Sequence, residues 1–161
     1  AKVILKKSKF VAVNAQLNAA NTGYHTISKY VGADLIIINE NEMRHELRNK
    51  IDSVDKLIKV LGKKLKSKYL AVTSGNQGSR IFSRATKKIH HCPAFADKVT
   101  DKIGTGDTML ALLAISIFKK INIQFSMFLS ALGAAENIKH MANSVSIEKN
   151  NMIKSLESYI K

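Results

Sequence analysis

The chain has 161 residues, 45% hydrophobic and 24% charged, and 26 basic residues against 12 acidic ones give it a net charge of +14. That is enough for one domain with a real core, in a composition typical of globular rather than disordered or fibrous proteins. The longest apolar run, Met109 to Phe118, is broken only by Ser116, ends at Lys119-Lys120 and is too short to cross a bilayer.

The opening "AKVILKKSKF" lacks the apolar stretch and cleavage site of a secretory signal. The single Cys92 excludes an internal disulfide framework and suits a reducing, cytoplasmic setting. The positive charge raises the question of nucleic acid or another acidic partner. Against that, the lysines are dispersed, Arg44, Arg48, Arg80 and Arg84 are the only arginines, and Trp is absent. Nucleic-acid readers depend on arginine forks and aromatic platforms, so the charge reads first as ordinary solvated surface.

In chain order, Lys9 to Val13 predicts a short strand, followed by the polar loop Asn14 to Gly23 and a helix through Tyr30. Leu35 to Ile38 is a continuous apolar, β-branched run, the pattern of a strand covered on both faces. A helix is expected from Asn41 to about Asn49. Asp52 is placed to cap the next one, in which Val54, Leu57, Ile58, Leu61 and Leu65 form an apolar stripe weakened by Gly62. Strands are expected at Tyr69 to Thr73 and Arg80 to Ser83 around a glycine turn, and again in "KKIHHC" before Pro93. Three helices follow: Thr108 to Lys119, Ser126 to about His140, and Lys149 to Ile160. Strand–helix alternation with short connections predicts a layered α/β domain around a mainly parallel sheet. The first strand would leave an edge of that sheet open, and a start at Ala1 rather than Met points to a piece of a longer protein.

"DKIGTGDTMLALLA", residues 101 to 114, sets two glycines and two aspartates directly ahead of the apolar run. Gly104-Thr105-Gly106 can turn tightly and let backbone N–H groups converge. A helix starting near Thr108 aims its unpaired N–H groups and positive dipole end into the same space, which makes an anion site. Asp107 would repel a phosphate as a ligand, but fits as acceptor of a proton from a hydroxyl attacking one. The apolar helix behind it is expected to be buried and rigid. The alternative is a tight loop in which Asp107 is only the helix N-cap.

This stretch resembles the signature of the PfkB/ribokinase family of sugar kinases, Asp-Thr-x-Gly-Ala-Gly-Asp followed by an apolar helix. Lys102 replaces Thr, Thr105 replaces Ala and Met109 replaces the usual Phe. The resemblance implies that Gly104, Thr105 and Gly106 form an anion hole and that Asp107 is the catalytic base. "INENE" resembles the family's Asn-x-x-Glu element, which implies Asn39 and Glu42 near magnesium and phosphates, acting through water; the same residues also read as a capped helix start. "VTSGNQGS" resembles the Thr-x-Gly-x-x-Gly segment and implies Thr73, Gly75 and Gly78 on the nucleotide side, although by itself it reads as a hairpin turn. Ser130, Gly133 and Ala134 occupy the place of the adenine pocket. Ala142-Asn143 replaces the small pair found where some members hold a monovalent cation, so no such ion is expected.

The resemblance runs from about Phe10 to the C-terminus, the second half of a family length of roughly 300 residues. It implies a ribokinase-like three-layer α/β/α fold in which residues 1–161 are the nucleotide-binding and catalytic-base part. The sugar-binding half and lid would precede them. "VNAQLNAANTGYHTISKY" looks most like members in heptose and sugar-nucleotide pathways; Asn14, Gln16 and Asn18 either face the cleft or bond within a loop. The implied activity is ATP- and Mg²⁺-dependent phosphorylation of a sugar or sugar phosphate, with little activity in this chain alone. A homodimer or a preceding segment would cover the sheet edge. The alternative is a non-catalytic basic module that binds nucleotides or nucleic acid.

His90, His91 and Cys92 suggest a metal, but neighbouring strand residues point to opposite faces and no second cluster has ligand spacing. Cys92 has no local support as a nucleophile. Lys63-Lys64 and Lys119-Lys120 read as solvated helix ends.

Overall fold

Two apolar strands organise the first part of the chain. In the computed structural model, which describes residues 2–15, 26–95, 104–138 and 148–160, β2 (Leu35–Asn39) and β3 (Tyr69–Thr73) pair in parallel. β1 (Ala12–Asn14) joins the other side of β2, also parallel. β4 (Ser79–Ser83) pairs antiparallel with β3, and β5 (Ile89–Cys92) ends the sheet in the order β1-β2-β3-β4-β5. β1 is thus an edge strand, as expected, although it begins three residues later than the apolar pattern suggests.

α1 (Lys2–Lys7) precedes β1, and α2 (Glu40–Leu47) and α3 (Val54–Leu65) together connect β2 to β3. α1 is not evident in the sequence, and the helix expected before Tyr30 is a single 3₁₀ turn, Ile27–Tyr30. α3 shows the predicted stripe: Leu57, Ile58, Leu61 and Leu65 are each 2% exposed or less, worth about 1.5–3 kcal/mol apiece on burial. They pack with Met43, Ile36, Ile38, Leu70, Val72 and Phe82 on one face of the sheet. Leu35, Ile37, Ala71 and Ile81 alternate onto the other face and are equally buried, which explains why β2 reads as an unbroken apolar run.

Two local expectations change. The N-cap of α3 is Ser53, whose hydroxyl accepts from Lys56 N, rather than Asp52. Asp52 instead accepts from Asn49 Nδ2 and Lys56 Nζ, and the lysine bond leads the interactions holding its carboxyl below the ordinary range. Gly62 makes room rather than merely weakening α3: a Cβ there would come within 2.5 Å of the Phe82 ring.

The chain divides into two compact units, residues 1–74 with 79–91, and residues 75–78 with 92–161. The second contains α4 (Thr105–Phe118), α5 (Ile123–Ile138) and α6 (Lys149–Ile160). α4 packs along α5, and α5 against α6. Phe95, Phe128 and Tyr159 meet edge to face, with centroids 5.0–6.0 Å apart. α4 is not buried all round as its composition suggests. Met109, Leu113 and Ser116 form one inward stripe, whereas Ile115 is 61% and Phe118 52% exposed. Uniform apolarity leaves the buried side undetermined, and tertiary packing chooses it. Among the described residues no helix is long and apolar enough to cross a membrane.

Gly78 is required twice over. Its φ is +80°, and a Cβ would meet the Cys92 carbonyl oxygen, the Pro93 carbonyl carbon at 2.7 Å and the Ala94 nitrogen at 2.8 Å. Gly75 has φ +57° but open space around it. Gly78→Ala should therefore destabilise by about 2 kcal/mol or more, a left-handed backbone cost plus overpacking, and Gly75→Ala by about 1 kcal/mol. Urea denaturation of the two variants checks this; equal losses would contradict it.

Candidate functional site

The carboxyl ends of β2 and β3 carry the first group of predicted residues. Asn39 and Thr73 are register partners at the last positions of the two strands, so adjacency in the sheet joins two motifs 34 residues apart. Asn39 then caps α2. Its Oδ1 accepts from Glu42 N at 2.8 Å, while Glu42 Oε2 accepts from Asn39 N at 2.8 Å. This reciprocal box satisfies two backbone donors at once and fixes both side chains. Asn39 is exposed and Glu42 is 8% exposed.

Charged groups beyond the named motif positions surround this corner. Arg44 Nε donates to Glu40 Oε1 at 2.9 Å, and Arg80 Nη1 donates to Ser74 Oγ at 3.4 Å. Partial burial by itself would raise the Glu40 carboxyl; bonds from Ser74 and Arg44 and the charges of Arg44 and Arg80 outweigh it and hold the group below its ordinary value. Glu40 and Ser74 fall at variable positions inside the two quoted motifs, and Arg80 directly follows the second, so no motif position marks them. Their spacing fits neither a helix nor a strand period, and the fold alone brings them together.

In the second unit, α4 starts earlier than predicted. Its N-cap is Gly104, with φ +79° and ψ −9°, and the first helical bond runs from Thr108 N to Gly104 O at 2.9 Å. Thr105, Gly106 and Asp107 therefore form the first helical turn rather than a preceding loop. A left-handed glycine enters this turn where an L-residue would be strained, and with no side chain it makes no cap bond. The leading amide hydrogens of a helix have no acceptor within it, so at this end the cap offers them none either. Asp107 is not the N-cap; it is the third helical residue and is exposed. Asp101 and Lys102 lie outside the described residues, as do Gln16, Asn18, Ala142 and Asn143.

Gly75–Gln77 is a 3₁₀ turn, and Gly78 N bonds Gly75 O at 3.0 Å. Ser130 is fully buried and its hydroxyl donates to Met127 O at 2.8 Å. Gly133 faces α4, where a Cβ would run into Leu112 and approach Thr108 Cγ2 at 3.4 Å. Ala134 is 6% exposed. Asn14 ends β1, paired in register with Ile37. His91 Nε2 lies 3.7 Å from Asp55 Oδ2, Cys92 is buried, and its burial pushes the thiol up.

Among the described residues no three His, Cys, Asp or Glu side chains form a metal cage. The first turn of α2 instead offers amide and carboxylate oxygens on Asn39, Glu40 and Glu42. That donor set fits Mg²⁺, which keeps several waters and takes one or two carboxylates with substrate phosphates rather than a dedicated cage.

Residues 1–150 match the pfkB family of carbohydrate kinases. Over 121 residues the chain is 30% identical to the bifunctional protein HldE of Helicobacter pylori strain ATCC 700392 / 26695, covering 73% of this chain and 26% of that protein. Over 111 residues it is 33% identical to HldE of Campylobacter fetus subsp. fetus strain 82-40, covering 67% and 24%. The chain thus spans about a quarter of the length of these relatives. An Arabidopsis thaliana ribokinase solved with ribose and ATP superposes with a TM-score of 0.80 at 18% identity, covering 97% of this chain and 50% of that one. The fold is ribokinase-like, and the chain belongs to the pfkB family of carbohydrate kinases.

Proposed function

We propose that this chain supplies the nucleotide side and the proton acceptor for transfer of the ATP γ-phosphoryl group to a sugar or sugar phosphate hydroxyl. The observation that carries this reading is the head of α4. Its glycine cap makes no side-chain bond to the leading amides, and an exposed carboxylate follows in the first turn. A bare helix start favours an anion, and Asp107 at its rim is unsuited to hold one but suited to take a proton.

In this reading, the amides of Gly104 to Gly106 donate to the oxygens of the γ-phosphoryl group. The acceptor hydroxyl attacks phosphorus, the bond to the β-phosphate bridging oxygen breaks, and ADP departs with the electron pair. Asp107 takes the hydroxyl proton. Such fixed donors stabilise transition-state charge without reorganising. Thr73, Gly75 and Gly78 border the nucleotide, and Ser130, Gly133 and Ala134 back its base. Asn39 and Glu42 act through water on Mg²⁺, which when bound neutralises phosphate charge. The acceptor site and lid belong to sequence before this chain, in a protein of the reducing cytoplasm. Resemblance to members in heptose and sugar-nucleotide pathways favours a sugar phosphate acceptor.

Asp107→Asn in the full-length protein should lower kcat by about two orders of magnitude or more, the usual contribution of a positioned base, with KM for ATP little changed. Steady-state kinetics checks this, and retained kcat would contradict it. The 161-residue chain alone should bind nucleotide yet show little or no sugar phosphorylation; robust turnover would overturn the assignment of the acceptor site to preceding sequence.

A further inference from the structure

Arg80 pairs in register with Val72, and Val72 is part of the core against α3. The next pair, Thr73 with Ser79, points to the opposite face by strand alternation. Arg80 is therefore on the far side of the sheet from Thr73 and does not share a face with a nucleotide held there. Its guanidinium instead ties together the starts of two helices and the end of a strand. Nε lies 3.1 Å from Asp55 Oδ1 in the first turn of α3, an ion pair without hydrogen-bond alignment. Nη1 donates to Ser74 Oγ, and Ser74 bonds Glu40, the neighbour of Asn39. The Arg80 side chain is only 19% exposed, whereas Asp55 is 49% exposed, so water screens the ion pair more than the inward contact to Ser74.

We propose that Arg80 is a positioning residue: through Ser74 and Glu40 it sets how firmly Asn39, Glu42 and Thr73 hold a metal–nucleotide complex. The proposal rests on the kinase reading above. Its physical basis is charge and rigidity together. Glu40 and Glu42 would both repel a polyphosphate entering at Asn39. Arg80 and Arg44 oppose the charge of Glu40 from behind, and the Ser74 bridge locks the end of β3 to the start of α2. Arginine suits this role because its planar fork can meet two partners at once, which a lysine ammonium does less well.

The test is equilibrium binding of the non-hydrolysable analogue AMP-PNP, with and without Mg²⁺, and of metal-free AMP, by isothermal titration calorimetry. Arg80→Met should reduce the Mg²⁺-dependent gain in AMP-PNP affinity by about tenfold, as loss of an outer-shell partner commonly does, and leave AMP binding unchanged. Arg80→Lys should recover part of the loss. Ser74→Ala, a mild change that keeps every charge, should act in the same direction, and the double variant Arg80→Met/Ser74→Ala should be no worse than Arg80→Met alone. An unchanged Mg²⁺ gain in Arg80→Met, fully additive losses, or a parallel loss of AMP binding in both single variants would overturn the proposal. If the unaltered chain binds no AMP-PNP, the kinase reading fails, and this inference with it.

Discussion

A helix cannot satisfy its own leading amide hydrogens, and the account depends on how this chain leaves those of α4. Three described helices receive side-chain caps: Asn39 and Glu42 close α2 reciprocally, Ser53 caps α3 and Asn122 bonds the first turn of α5. At α4 the cap is a left-handed glycine without a side-chain bond. In the proposed reading, that end receives a phosphate. Asp107, exposed in the first turn, complements the helix dipole, and in the proposed reading it is the proton acceptor.

The sheet does comparable work in the first unit. Asn39 and Thr73 belong to motifs far apart in the chain, and parallel pairing of β2 with β3 makes them neighbours. Sites at the carboxyl ends of parallel strands are general in open α/β sheets, because the connecting loops and helix starts converge there. The rigidity comes from behind: the α3 stripe buries four aliphatic side chains against the sheet, and Asp55 and Arg80 tie the first turn of α3 to β4.

Much of this could be read from the residues because it is local. Leu35 to Ile38 and the Val54–Leu65 stripe carry their period in their own composition, and both appear as elements with little shift. The Gly104–Asp107 motif was legible as a glycine-headed helix start, but its helix boundary was not, since glycine at a helix start looks like a loop residue until its φ is known. The burial of α4 was illegible for a related reason: a helix with almost no polar face does not declare which side packs. Arg80, Ser74 and Glu40 carried no pattern, because contacts between residues 40, 74 and 80 exist only once β2, β3 and β4 are aligned.

The central claim is that the first-turn amides of α4 receive a terminal phosphate. The most direct measurement is ¹⁵N NMR of the labelled chain titrated with Mg²⁺–AMP-PNP and, separately, with AMP. The account predicts that the amide resonances of Gly104, Thr105 and Gly106 shift strongly with AMP-PNP and hardly with AMP. Shifts elsewhere in the protein with these three unmoved, or equal shifts with both ligands, would contradict it.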